Sequence, residues 1–282
     1  MFKAIVFLYL FPYFLVAQNV LAVASQAYAS GNYTQVKNIL KKEGHKGNLQ
    51  AQLDLATLYE NGDSLPQSYE KSFYWYQKAS LKSSYAMYKL AHFYEEGKGT
   101  KKDYTLAIQW YKKSANADNT NAQLRLAQMY YYAIGVEENL TKAITWYTLA
   151  ANHANHQAQY TLGYVYEKDE RIEHNTTKAF GYYLQAAKHQ HIDAQYNVAT
   201  FYYTGKGVEK NDKEAIYWYA QAANQNDSQA QYNLGLMHFK GEGIAKNKIM
   251  AFDYWMKAAK NSHLQAQSAL DMLCKESPWA CR

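Results

Sequence analysis

The sequence predicts an all-α solenoid of about six 36-residue helix-turn-helix repeats, preceded by a degenerate N-terminal hairpin. Three observations carry this. First, AQYNVATFYYTGKGVEKN at residues 194–211 is answered by AQYNLGLMHFKGEGIAKN at 230–247, 36 residues later. Second, the apolar residues inside each recurrence keep helical spacing. Third, three copies contain a Gly-x-Gly turn followed by a helix-capping residue.

The copies start at Ala51, Ala86, Ala122, Ala158, Ala194, Ala230 and Ala266, the seventh being incomplete. Each Ala is position zero of its copy. Position 4 is Leu or Val, from Leu55 to Leu270, and position 5 is small: Ala56, Ala91, Ala127, Gly163, Ala199 and Gly235, with Asp271 the exception. Position 8 is Tyr in five copies and His238 in the sixth. Spacings of 0, 4, 5 and 8 share one helical face, so this is the first helix of the unit. Gly97 and Gly99, Gly205 and Gly207, and Gly241 and Gly243 end it; copy four has no glycine there, and a distorted turn is expected.

The second helix starts at position 17, with Ser68, Asp103, Asn139, Asn175, Asn211 and Asn247 as N-caps. Capping therefore explains Ser68-Tyr69-Glu70-Lys71, which matches the S-x-x-K of serine β-lactamases, and the Asn139 and Asn175 sequons. Further on, position 21 is small, positions 24 and 25 are aromatic (Trp75-Tyr76 to Tyr254-Trp255), and positions 28 and 29 are small again. Large rings against small residues give dense helix packing, so these aromatics read as core.

Residues 1–24 differ in kind. Lys3, an apolar run at 4–16 and the Ala22-x-Ala24 spacing read as a secretory signal peptide cut after Ala24 or Ala22; an uncleaved anchor is the other reading. Residues 25–50 read as a capping hairpin turning at Gly31-Asn32, and 51–282 as the solenoid. Cys274 and Cys281 are the only two cysteines, and in an oxidising compartment they are expected to close a disulfide. The expected location is periplasmic or secreted, with no membrane span left after cleavage.

Composition excludes several classes. With 48% hydrophobic and 16% aromatic residues the chain is not disordered. The net charge of +6 comes from scattered lysine pairs among acidic residues, which is a solvated surface and not a nucleic-acid stripe. No H-E-x-x-H, G-x-S-x-G or Walker loop occurs, so no catalytic residue, metal site or cofactor is assigned. His153, His156, His189 and His191 cluster in two successive links and read as exposed loop histidines. Glu60, Glu95 and Glu167 share position 9 and read as solvated carboxylates.

The columns Ala, Leu-Gly, Tyr, Gly-x-Gly, Ala, Trp-Tyr and Ala-Ala, seen in AQYNLGLMHFKGEGIAKN and AFDYWMKAAK, resemble the Sel-1-like repeat, a relative of the tetratricopeptide repeat. The resemblance implies a right-handed α/α superhelical solenoid that acts as an adaptor in protein assembly, and exported bacterial members are common. One exported branch, the Helicobacter cysteine-rich proteins, is linked to penicillin binding or β-lactamase activity. This chain has Ala259 and Gln267 where that branch carries cysteines, so that activity is not transferred.

The expected function is an exported scaffold binding a protein or peptide partner. An immunity protein shielding its host from one toxin is the alternative, and a cell-wall or β-lactam hydrolase a further one. Positions 2 and 9 lie within about 20° of each other and away from the core residues, forming a stripe from unit to unit. It carries Tyr88, Tyr131, Tyr160, Glu167, Tyr196, Tyr203, Tyr232 and Phe239. By resemblance to tetratricopeptide proteins, first helices line the concave face, which makes these the candidate partner-binding residues; packing against the adjacent repeat is the other reading of the tyrosines.

Overall fold

A helix whose sequence alternates small and large residues must bury that face against another helix, and the chain supplies one every 15 to 20 residues or so. The computed structural model describes residues 15–277 and contains fifteen helices and no strand among them. They fall into two compact units, residues 1–139 and 140–282.

The first unit holds α1 (Leu15–Ala29), α2 (Tyr33–His45), α3 (Leu49–Asn61), α4 (Tyr69–Ala79), α5 (Ser84–Glu96), α6 (Tyr104–Asn116) and α7 (Thr120–Tyr131). Helices pair as consecutive hairpins. The α1–α2 pair turns at Gly31, whose φ of +75° suits glycine, and Asn32 caps α2. The helix α1 runs unbroken through Ala22 and Ala24, and Leu21, Ala24 and Ala27 join Val36 and Leu40 in the core. The apolar run at 4–16 lies mostly outside the described residues.

The second unit holds α8 (Leu140–Asn152), α9 (His156–Lys168), α10 (Thr176–Lys188), α11 (Ile192–Thr204), α12 (Asp212–Asn224), α13 (Ser228–Lys240), α14 (Lys248–Lys260) and α15 (Leu264–Glu276). Here α9–α10, α11–α12 and α13–α14 are complete hairpins. The helix α15 is the first helix of the seventh copy. Cys274 lies on it, half-buried beside the Leu273 core; Cys281 lies outside the described residues.

All seven position-zero alanines are 0% exposed, because a second helix crosses directly over them. The position-25 rings Tyr76, Tyr111, Tyr147, Tyr183 and Trp255 are among the largest fully buried side chains. Position 5 must be small for the same reason. A Cβ on Gly163 would stand 2.5 Å from Tyr183, and one on Gly235 2.4 Å from Trp255. The second helices start where capping demands: Ser68, Asp103, Asn175, Asn211 and Asn247 each accept from the backbone N–H of a first-turn residue.

The glycine-free turn of copy four is rebuilt rather than frayed. Asp169 takes an extended conformation (φ −77°, ψ 111°) where four sister copies place a left-handed glycine and copy three a left-handed Ala133. Its buried carboxylate is held by the Arg171 guanidinium through Nε at 2.8 Å and Nη2 at 2.6 Å. A bidentate charged pair thus replaces backbone flexibility as the device that ends α9.

Candidate functional site

The first helices place Tyr88, Tyr160, Tyr196 and Phe239 beside the hairpin partner's position 25, and Tyr131 and Tyr232 against other rings. They are therefore not free side chains. In the first unit Tyr88 tilts against Tyr111 with ring centroids 5.8 Å apart, and Tyr131 meets Tyr132 edge-on at 4.8 Å. In the second unit Tyr160 tilts against Tyr183 at 5.7 Å and Tyr196 against Tyr219 at 5.7 Å. Phe239 tilts against Trp255 at 5.5 Å, and Tyr232 stacks on His263 at 4.9 Å. Each of these rings is half-buried: one face is fixed by the protein and the rest is open.

The position-9 carboxylates are a correction to the sequence reading. They are not solvated. Glu60, Glu95 and Glu167 accept from the hydroxyls of Tyr76, Tyr111 and Tyr183 at 2.8, 2.7 and 2.9 Å. Each also takes a cation from the following copy: Lys89, Arg125 and Lys206 respectively. Burial raises the three tyrosine hydroxyls far above their ordinary value, so each remains a donor. For Glu95 burial pushes the carboxyl up, but Arg125 and Tyr111 outweigh it and hold it below the usual range. In copy five Tyr203 replaces the Glu and the polarity reverses: its hydroxyl donates to Glu242 of the next copy at 2.8 Å.

At that junction lies a cavity of about 40 Å³, lined by Tyr203, Tyr219, Asn233, Leu236 and Met237. It is too small for a cofactor. Among the described residues no group of three or more His, Cys, Asp or Glu side chains could hold a metal. Ser68 accepts from the Lys71 N–H as a helix cap and donates to the Glu70 carboxylate at 3.1 Å.

The histidine links are also more ordered than exposed loops. His153, His156 and His189 are exposed, but His191 is half-buried as the N-cap of α11. Its ring stacks on Tyr160 at 4.4 Å, and His156 approaches it edge-on at 5.7 Å.

One set of residues escaped the sequence reading altogether. In five of the six Ala-Gln pairs the Gln reaches back eight residues across the link; Gln267 turns to Asp271 instead. Gln52, Gln123, Gln159, Gln195 and Gln231 donate through Nε2 to the carbonyls of Gly44, Ala115, Ala151, Ala187 and Ala223 at 2.8 to 3.2 Å. Those carbonyls lie in the last turn of the preceding second helix, and each also accepts from the turn N–H three residues on. The column was visible in the sequence; its acceptor was not, because a backbone carbonyl leaves no residue signature.

The stripe is thus a row of half-buried aromatic rings, each braced on one side by its neighbours. The Sel1 repeat profile matches six times, at residues 49–84, 84–119, 120–155, 156–191, 192–227 and 228–263. No curated protein sequence matches the chain. Among solved structures, c5321 of uropathogenic Escherichia coli, a protective antigen displaying an SLR fold, is 28% identical with a TM-score of 0.85. That similarity covers 93% of this chain but 57% of the E. coli protein, so the chain spans little more than half of that relative. A Sel1 repeat protein from Oxalobacter formigenes is 25% identical with a TM-score of 0.67, over 86% of this chain and 99% of its own. The six matched repeats, with the all-helical hairpin fold, establish that the chain belongs to the Sel1 repeat family.

Proposed function

We propose that the protein is an exported scaffold that binds a protein or extended peptide along the first-helix stripe. The observation that carries this is the half-set state of its rings. Tyr160, held between Tyr183 and His191, has already lost its rotamer freedom yet keeps an open edge and a hydroxyl. A partner meeting such rings gives up little side-chain entropy, which is the usual advantage of tyrosine at interfaces. Tyr196, Tyr203 and Tyr232 extend the same surface within the second unit.

Export is supported by Lys3, the apolar run and the small residues at Ala22 and Ala24. With export, a Cys274–Cys281 disulfide closes the C-terminal tail against α15. Intact mass of the protein purified from the envelope fraction, without reductant, tests both. A mature chain starting at Ser25 or Val23 and two hydrogens lighter than its reduced form is expected. A full-length cytoplasmic chain with two alkylatable thiols contradicts the export reading.

A further inference from the structure

First helices in this chain are capped by Asn48, Ser83, Asn119, Asn155 and Asp227, but two copies use histidine. His191 Nδ1 accepts from the Ala194 N–H at 3.4 Å, and His263 Nδ1 accepts from the Ala266 N–H at 3.2 Å. Both rings lie nearly parallel on a stripe tyrosine: His191 on Tyr160 at 4.4 Å and 14°, His263 on Tyr232 at 4.9 Å and 20°. An Asn cap would bond the helix equally well but could not stack in this way.

Both bonds require a neutral imidazole whose proton sits on Nε2, since a protonated Nδ1 has no lone pair to accept with. We propose that His191 and His263 are acid-sensitive clasps, which cap α11 and α15 while neutral and give up the caps when protonated.

The surroundings favour release. An imidazolium at a helix N-terminus meets the positive end of the helix dipole. The titratable groups facing His191 are Tyr160 and His156 from α9 and Asp193 from α11 itself, while α10 contributes the Ala186 carbonyl. Burial holds His191 below the ordinary histidine value; Asp193 opposes this and His156 adds to it. His263 is 6% exposed, and its Nε2 is buried without a protein partner. Tyr232 from α13 faces it, and α14 contributes the Ala258 carbonyl. His191 disfavours the proton when folded, so it contributes stability above its unfolded value, which is lost as pH falls through about 6.5 and below. The consequence for partner binding rests on the scaffold reading above; the clasp itself does not.

Amide hydrogen exchange of the full chain, followed from about pH 7.5 to about pH 5, tests the clasp without any partner. Protection at Ala194 is expected to fall several-fold after correction for intrinsic rates, and at Ala266 by less, because its N–H also reaches the His263 carbonyl at 3.1 Å. Protection at Ala122 and Ala158, whose caps are Asn119 and Asn155, is expected to hold. The double variant His191→Asn/His263→Asn keeps an acceptor and removes the titration, so its protection should no longer respond. Unchanged protection at Ala194 and Ala266 in the wild type, or an equal acid response in the Asn variant, overturns the proposal. Neither result bears on whether the stripe binds a partner.

Discussion

The Tyr111 hydroxyl donates to Glu95 Oε2 at 2.7 Å, inside the first unit, and Arg125 of the next copy closes on the same carboxylate. Three residues from two successive repeats thus meet in one ionic latch. Glu95 is 7% exposed, so removing its charge leaves the partly buried Arg125 guanidinium without its counter-charge. Glu95→Gln is expected to cost about 2–4 kcal/mol in denaturant unfolding, discounted because Arg125 is partly solvated.

The same latch sets a pH dependence. Glu95 is held below its ordinary value of 4.5, so its contribution is complete above that value and lost as pH falls through the folded one. The gap in stability between wild type and Glu95→Gln should therefore be constant near neutrality and shrink under acid. A gap that is equal at pH 7 and at about pH 3 contradicts the latch.

Close packing at position 5 gives a second prediction. Gly163→Ala adds a Cβ 2.5 Å from the Tyr183 ring, and the buried ring has little room to retreat. Overpacking of this kind costs about 1–3 kcal/mol, and Gly163→Leu more. Ser68→Ala, which removes only one cap acceptor, is expected to cost about 1 kcal/mol. A thermal melt of Gly163→Leu indistinguishable from wild type shows that the second helix does not cross there.

Asp54 supplies a third. It occupies position 3 of the first copy, where the next two copies carry Lys89 and Arg125. Burial raises its carboxyl to about 6, although the Gln50 amide donates to it at 2.8 Å and pulls the other way. A raised carboxyl contributes stability below its unfolded value of 3.8, and that contribution is lost as pH rises through about 6. Asp54→Asn should therefore stabilise the protein by about 1 kcal/mol above pH 6 and lose this advantage below about pH 4. Destabilisation at pH 7.5 contradicts the account of Asp54 as a desolvated, unpaired charge.

The fold was legible because packing leaves a periodic mark. Ala at position zero, small residues at 5 and 21 and rings at 24 and 25 each record where one helix touches another. The site was legible only as a stripe. Spacing places Tyr160 and Tyr196 on one face, but it does not say that their rings lean on Tyr183 and Tyr219. Glu95 looked solvated because its cation, Arg125, lies 30 residues away in the next copy. The links hid their geometry too: Asp118, Ala154, Gln190, Asn226 and Ser262 all adopt left-handed φ, with no glycine to announce it.

The central claim is that the stripe binds a protein partner. It is tested most directly by Tyr160→Ala with Tyr196→Ala, carried through affinity isolation from the native envelope fraction alongside circular dichroism. Both rings pack on a hairpin neighbour, so the double variant is expected to melt lower yet keep its helicity at working temperature. The account predicts that a partner recovered in stoichiometric amount with the wild type is lost from this folded variant. Retention of the same partner at unchanged affinity would contradict it, and would move the binding surface off the first helices.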